Sequence, residues 1–168
     1  MRKFVLSLCA SLTCSMAMAI TPFNLPWMNA TSGTGVNYSS AERPNAVFVV
    51  EAYFLNCPYC NENAQNVNDL AAKYSAESRV QVLDVGIDRK DSQYATWISR
   101  HNPNHPVLKD ASRELIGQLG TTGYPSTYVI DCHGEVTYKH VGEWEAADIG
   151  EISAHIDEAL KTECNSGK

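Results

Sequence analysis

Apolar and polar positions fall into blocks whose period changes along the chain, and each change marks an element. Ala46-Val-Phe-Val-Val-Glu-Ala-Tyr-Phe54 is nearly continuous apolar and β-rich, the pattern of a strand buried on both faces beside parallel neighbours. Beyond Cys57 the period turns helical. Cys60, Ala64, Val67, Leu70, Ala71 and Tyr74 recur at helical spacing, so this segment buries one stripe on a sheet. Arg79 to Val85, with Val80, Val82, Leu83 and Val85, reads as a second parallel strand. Asp91 to His101 predicts a helix carrying Tyr94, Trp97 and Ile98 on one side, ended by Pro103 and Pro106. Pro106 to Asp110 reads as a short extended piece, and Ser112 to Leu119 as a helix with Leu115, Ile116 and Leu119 inward.

Thr121 to Asp131 is a loop running into an apolar strand, His133-Gly134 a turn, and Val136 to Val141 the return strand of a hairpin. Asp148 followed by Glu151 predicts a capping box for a last helix striped by Ile149, Ile152, Ile156 and Leu160. Alternating strands and helices, closed by a hairpin and a helix, predict an α/β fold with a mixed central sheet flanked by helices.

The chain divides into residues 1–19, 20–42 and 43–164. In the first part Arg2 and Lys3 precede an apolar stretch, Phe4 to Met18, that ends in Ala17-Met18-Ala19. This is the pattern of a cleaved export signal, and the stretch is shorter than the ~20 residues an uncleaved span needs. The mature chain is then expected to begin near Ile20 and to be soluble and exported. Residues 20–45 are rich in Asn, Ser, Thr, Gly and Pro, with Trp27 and Val36 as the obvious anchors. They read as an extended or partly ordered N-terminal extension, too short for a dimerisation domain, and the chain reads as a monomer.

The formal charge is −6, and loss of Arg2 and Lys3 makes the mature chain more acidic still. That argues against nucleic acid or an anionic membrane as partner. Composition is otherwise that of one ordinary globular domain.

Chemistry concentrates where the first strand meets the first helix. Cys57-Pro-Tyr-Cys60 places one sulfur at a helix N-terminus, where unpaired N–H groups and the macrodipole favour a thiolate. The second sulfur lies one turn inward, able to attack a mixed disulfide formed by the first. Cys57 is the expected exposed attacking group and Cys60 the buried resolving one. Pro58 removes an N–H from the pair and Tyr59 adds contact area beside it. Glu51, inside the apolar strand, should be desolvated with a raised pKa, and reads as the proton acceptor or donor for Cys60. The rival reading is half of a soft-metal site, but there is no second C-x-x-C. The histidines at 101, 105, 133, 140 and 155 show no spacing tied to the dithiol. His101, His105 and His155 read as surface groups. No metal or cofactor is expected.

Of the other four cysteines, Cys9 and Cys14 lie in the leader and are expected to leave with it, so Cys132 and Cys164 remain. A return strand of about 20 Å and a last helix of about 21 Å run in opposite directions, so the helix ends near the hairpin turn where Cys132 lies. A structural Cys132–Cys164 disulfide follows; a second redox-active pair is the alternative.

Three separated features resemble the thioredoxin superfamily across residues 43–162. They are the strand–Cys57-Pro-Tyr-Cys60–helix unit, the Gly123-Tyr124-Pro125-Ser126-Thr127 loop before a strand, and the ββα ending with Gly142 after the last strand. The export signal and the short insert before the proline loop resemble the TlpA-like and Dsb-like periplasmic thiol–disulfide oxidoreductases. Asn56 stands where many members carry tryptophan. The resemblance implies a cis bond at Pro125, with the Tyr124 backbone pairing to an extended client segment. It also implies disulfide exchange with cysteine-containing envelope proteins and a membrane redox partner. Two other readings stay open: a disulfide isomerase, and a copper-carrying or partner-holding module without turnover.

Overall fold

The computed structural model describes residues 19–29 and 33–164. Apart from Ala19, the leader lies outside the described residues. In chain order the elements are β1 (Asn24–Met28), β2 (Gly33–Ser39), a 3-10 turn (Ser40–Glu42), β3 (Val47–Tyr53), α1 (Pro58–Lys73), β4 (Val80–Gly86), α2 (Asp91–His101), β5 (Val107–Lys109), α3 (Glu114–Gln118), β6 (Ser126–Ile130), β7 (Val136–Val141) and α4 (Ala146–Ala159). The strands form one mixed sheet in the order β2-β1-β5-β4-β3-β6-β7. Central β3 pairs parallel with β4 and antiparallel with β6. All seven of its residues are buried, as its unbroken apolar run requires.

Strand alternation sorts β3 and β4 onto two cores. On one face Val47, Val49, Val80 and Val82 meet Val67 and Leu70 of α1 and Ile152 and Ile156 of α4. On the other Phe48, Val50, Leu83 and Val85 meet Leu115, Ile116 and Leu119, together with Phe23, Leu25 and Tyr38. Each such side chain, fully buried, contributes roughly 1.5–3 kcal/mol.

The N-terminal extension is more ordered than its composition suggests, and its anchors are not the expected ones. β1 pairs antiparallel with β2 and with β5, adding two strands to the sheet. Phe23, Leu25, Met28 and Tyr38 are buried, whereas Trp27 is 37% and Val36 60% exposed. The register shifts between Pro26 and Met28; a bulge exchanges the faces of successive side chains, turning Trp27 outward and Met28 in.

Two helix starts also differ from expectation. The last helix begins at Ala146, and Asp148 is the returning member of its cap, accepting the Glu145 N–H at 2.7 Å. Trp144 is held just before it by bonds to Asn63 and Thr127, which fixes an early entry. α3 starts at Glu114 rather than Ser112, where Asp110, fully buried, accepts from the N–H groups of Glu114, Leu115 and Ile116.

Candidate active site

β3 ends at Tyr53, and the three residues Phe54, Leu55 and Asn56 lead to Cys57, the N-cap of α1. Pro58 occupies the first helical turn, where a missing N–H costs nothing. The Cys60 N–H donates to Cys57 Sγ at 3.1 Å, so the helix end does present a donor to that sulfur. Cys57 and Cys60 are joined as a disulfide, Cα atoms 5.2 Å apart.

The expected exposure of Cys57 is not found in this oxidised state. Cys57 is 3% and Cys60 2% exposed. Both belong to a cluster with Met28, Tyr53, Ala64, Tyr94 and Trp97, against which Phe54, Leu55 and Tyr124 pack. Asn56, Pro58 and Tyr59 around it are exposed, so the sulfur lies one layer beneath the surface. In this state the disulfide presents little surface to an attacking thiol.

Glu51 lies beneath α1. Its Oε1 accepts from Asn63 Nδ2 at 2.7 Å and its Oε2 from Thr127 Oγ1 at 2.6 Å. Asn63 is one turn beyond Cys60 on the same helix, about 4.5 Å along its axis. The network is fastened further out: Trp144 Nε1 donates to Thr127 Oγ1, and Asn63 Oδ1 accepts from the Trp144 N–H and from Asn66. Burial pushes the Glu51 pKa up to about 8, against the lowering effect of the Thr127 and Asn63 bonds; the Asp84 charge adds to the rise. The carboxyl is therefore mostly protonated at neutral pH. A hydroxyl can donate to a carboxylate or accept from a carboxylic acid, so Thr127 serves both protonation states.

Asp84 sits beside Glu51 in the parallel register. Its Oδ2 accepts from Trp97 Nε1 at 2.8 Å, and its Oδ1 lies 3.2 Å from His105 Nε2, both side chains 4% exposed. His105 is thus not the surface group that its neighbouring prolines suggested, because β5 brings it under the sheet end against Asp84. His101 is part-buried against the Trp97 ring at 4.3 Å, and His155 against the Tyr138 ring at 4.5 Å.

The Tyr124–Pro125 bond is cis. Ser126 pairs with Ala52 near the end of β3, which puts this loop at the dithiol end of the sheet. Tyr124 stands edge-on to Phe54, ring centroids 5.5 Å apart. Cys132 lies beyond the other end of β6, roughly 20 Å along the strand direction, and is bonded to Cys164. The structure therefore gathers Cys57, Pro58, Tyr59, Cys60, Tyr124 and Pro125 at one end, with Glu51 below. Asn63, Thr127, Trp144 and Asp84 went unassigned in the sequence. Of these only Asn63 carried a local signal, a polar residue three positions after Cys60 on the buried stripe.

A central mixed sheet with a vicinal cysteine pair at a strand-to-helix junction and a cis-proline loop beside it defines a thioredoxin-superfamily chain. The AhpC/TSA family model matches residues 17–139, and the chain belongs to that family. Among its relatives, the thiol:disulfide interchange protein DsbE of Pasteurella multocida (strain Pm70) is 37% identical over 90 residues, 52% of this chain and 46% of that protein. The thiol-disulfide oxidoreductase ResA of Bacillus thuringiensis (strain Al Hakam) is 27% identical over 95 residues, 54% of each. The chain matches about half the length of these relatives. A Chlorobium tepidum crystal structure assigned as a thiol:disulfide interchange protein DsbE superposes with a TM-score of 0.74 at 23% identity, covering 86% of this chain and 96% of that one. That likeness concerns the fold.

Proposed function

We propose that the chain is an exported thiol–disulfide oxidoreductase that exchanges disulfides with cysteines of other envelope proteins and draws on a membrane redox partner. The observation that carries this reading is the Cys57–Cys60 disulfide at the α1 N-terminus with the protonated Glu51 carboxyl beneath the same helix. The leader pattern in residues 1–19 supports export, and the names of the relatives agree with the chemistry.

In the oxidising direction a client thiolate attacks Cys57 Sγ. The Cys57–Cys60 bond breaks, a client–Cys57 disulfide forms, and Cys60 leaves as a thiolate. Glu51 supplies the proton that this thiolate takes up. An acid with a pKa of about 8 is matched to a thiol whose ordinary value is near ~8.5, which keeps the transfer close to thermoneutral. A second client thiolate then attacks the client sulfur of the mixed disulfide. The client gains a disulfide, and Cys57 and Cys60 end reduced by the same two electrons. Run backwards, the cycle reduces a client disulfide, with Glu51 taking the Cys60 proton. Tyr59, 60% exposed, and the Tyr124–Pro125 loop line the approach to Cys57. The Cys132–Cys164 bond takes no part and serves as a staple.

The test is turnover of a model protein disulfide with mass mapping of trapped intermediates. Many equivalents converted by wild type, none by Cys57→Ala, and a client adduct on Cys57 in Cys60→Ala are the expected results. Full turnover by Cys57→Ala, or a single equivalent exchanged by wild type, would refute the proposal.

A further inference from the structure

Asn61, the first residue after the dithiol, makes four side-chain hydrogen bonds. Its Nδ2 donates to the carbonyl oxygens of Leu55 at 2.9 Å and Cys57 at 2.7 Å. Its Oδ1 accepts from Arg100 Nη1 at 2.6 Å and pairs with His101 Nε2 at 3.0 Å. An amide has two hydrogens and two lone pairs, and here all four are used. The orientation is therefore fixed, since the flipped amide would set N–H against guanidinium and oxygen against two carbonyls. His101 must carry its hydrogen on Nε2. Burial, then the Arg100 charge, hold the His101 pKa below its ordinary value, so near pH 7 the ring is a neutral donor and Arg100 is the cation.

The same loop is gripped from its other side. The Leu55 N–H donates to Asp88 Oδ2 at 2.8 Å, and Gln93 of α2 holds Asp88 Oδ1 at 2.6 Å. The charged or titratable groups around the Cys57 loop thus include Arg100, His101 and Tyr94 from α2, Asp88 from the segment before it, Glu51 and Tyr53 from β3, Tyr59 on α1 and Tyr124 from the proline loop. Arg100 reaches the Cys57 carbonyl through a single side chain, and it polarises the amide whose N–H groups take up the negative ends of both carbonyls.

We propose that Asn61 is a positioning residue through which α2 stabilises the Cys57 thiolate, tying down the carbonyls of Leu55 and Cys57 and linking them to the Arg100 cation. This rests on Cys57 being the attacking sulfur. It makes α2, the helix between the second parallel strand and the proline loop, a determinant of redox behaviour in this chain. The amide donors and the cation act together on a sulfur that already has the helix end and the Cys60 N–H.

The experiment is iodoacetamide alkylation of the reduced full-length protein across pH, with the modified cysteine identified by mass mapping. Asn61→Leu should raise the Cys57 pKa by about one unit, a tenfold loss of alkylation rate below the pKa. Arg100→Gln keeps a donor and loses the charge; it should shift the pKa by about half a unit, roughly threefold in rate. Asn68→Leu is the control. Asn68 lies seven residues on along the same helix and also bridges to α2's end, donating to the His101 carbonyl at 3.0 Å. It should lower the melting temperature without moving the Cys57 pKa. An unchanged pKa in both Asn61→Leu and Arg100→Gln overturns the proposal, and so does an equal shift in Asn68→Leu. Exposed Arg100 keeps the test open if Asn61→Leu does not fold. Alkylation that falls first on Cys60 in wild type overturns the assignment of the attacking sulfur itself.

Discussion

Glu51→Gln is the perturbation that bears most directly on the site. The glutamine side chain keeps the shape and neutrality of the protonated acid. It can accept from Asn63 and donate to Thr127, which still accepts from Trp144. Only the titration is removed. In the folded chain the Glu51 pKa is about 8 against an ordinary 4.5, so the folded state holds a proton that the unfolded state releases. The stability tied to that proton is fully present below about pH 4.5 and is lost as pH rises through about 8. Within that window each pH unit costs about 1.4 kcal/mol, or about 3 kcal/mol between pH 4.5 and 7. Because the carboxyl is 3% exposed, solvent screening gives little discount. Urea unfolding of the oxidised wild type and of Glu51→Gln across pH 4.5–8.5 measures the difference directly. The variant should gain steadily on wild type over the window. A difference that stays flat above about pH 5.5 would mean that Glu51 is an ionised carboxylate at neutral pH, and its role as proton donor to Cys60 would fall.

Two further outcomes follow from the fold. Replacing Cys132 and Cys164 together by serine removes a closure across a sequence separation of 32. This should cost about 3.5 kcal/mol in urea unfolding and leave the glutathione equilibrium of Cys57–Cys60 unchanged; a shift in that equilibrium would show the two disulfides exchanging electrons. Phe23→Ala empties a site that is 1% exposed between Tyr38 and Phe48, for a loss of about 3–5 kcal/mol within a single unfolding transition. A loss below about 1 kcal/mol would show the β1–β2 pair to be peripheral to the domain.

How far the sequence reveals these features depends on how far apart the interacting residues lie. The dithiol at a strand-to-helix junction is legible because the apolar run to Phe54 and the helical stripe from Cys60 are local patterns. The Cys132–Cys164 pairing is legible too, since a strand and a helix of nearly equal length must return to the same end. The β1–β2 pair is half legible. Phe23, Leu25 and Trp27 alternate as a strand should, yet the register shift after Pro26 exchanges inside for outside, and the surrounding Asn, Ser, Thr and Gly hide the period. α4 begins two residues before Asp148 because of Trp144, whose partners lie on β6 and α1.

By itself the sequence determined the elements from β3 to α4, the position of the cysteine pair at a strand-to-helix junction and the carboxylate placed in an apolar strand, all consequences of periodicity and spacing over a few residues. It could not determine what that carboxylate meets. Asn63, Thr127 and Asp84 reach Glu51 from a helix and two neighbouring strands, His105 meets Asp84 only through β5, and Arg100 finds the Cys57 loop only because α2 packs against α1. Proton affinity and thiolate stability depend on charge and solvent within a few ångströms. The tertiary structure decided both, since it alone sets those neighbours.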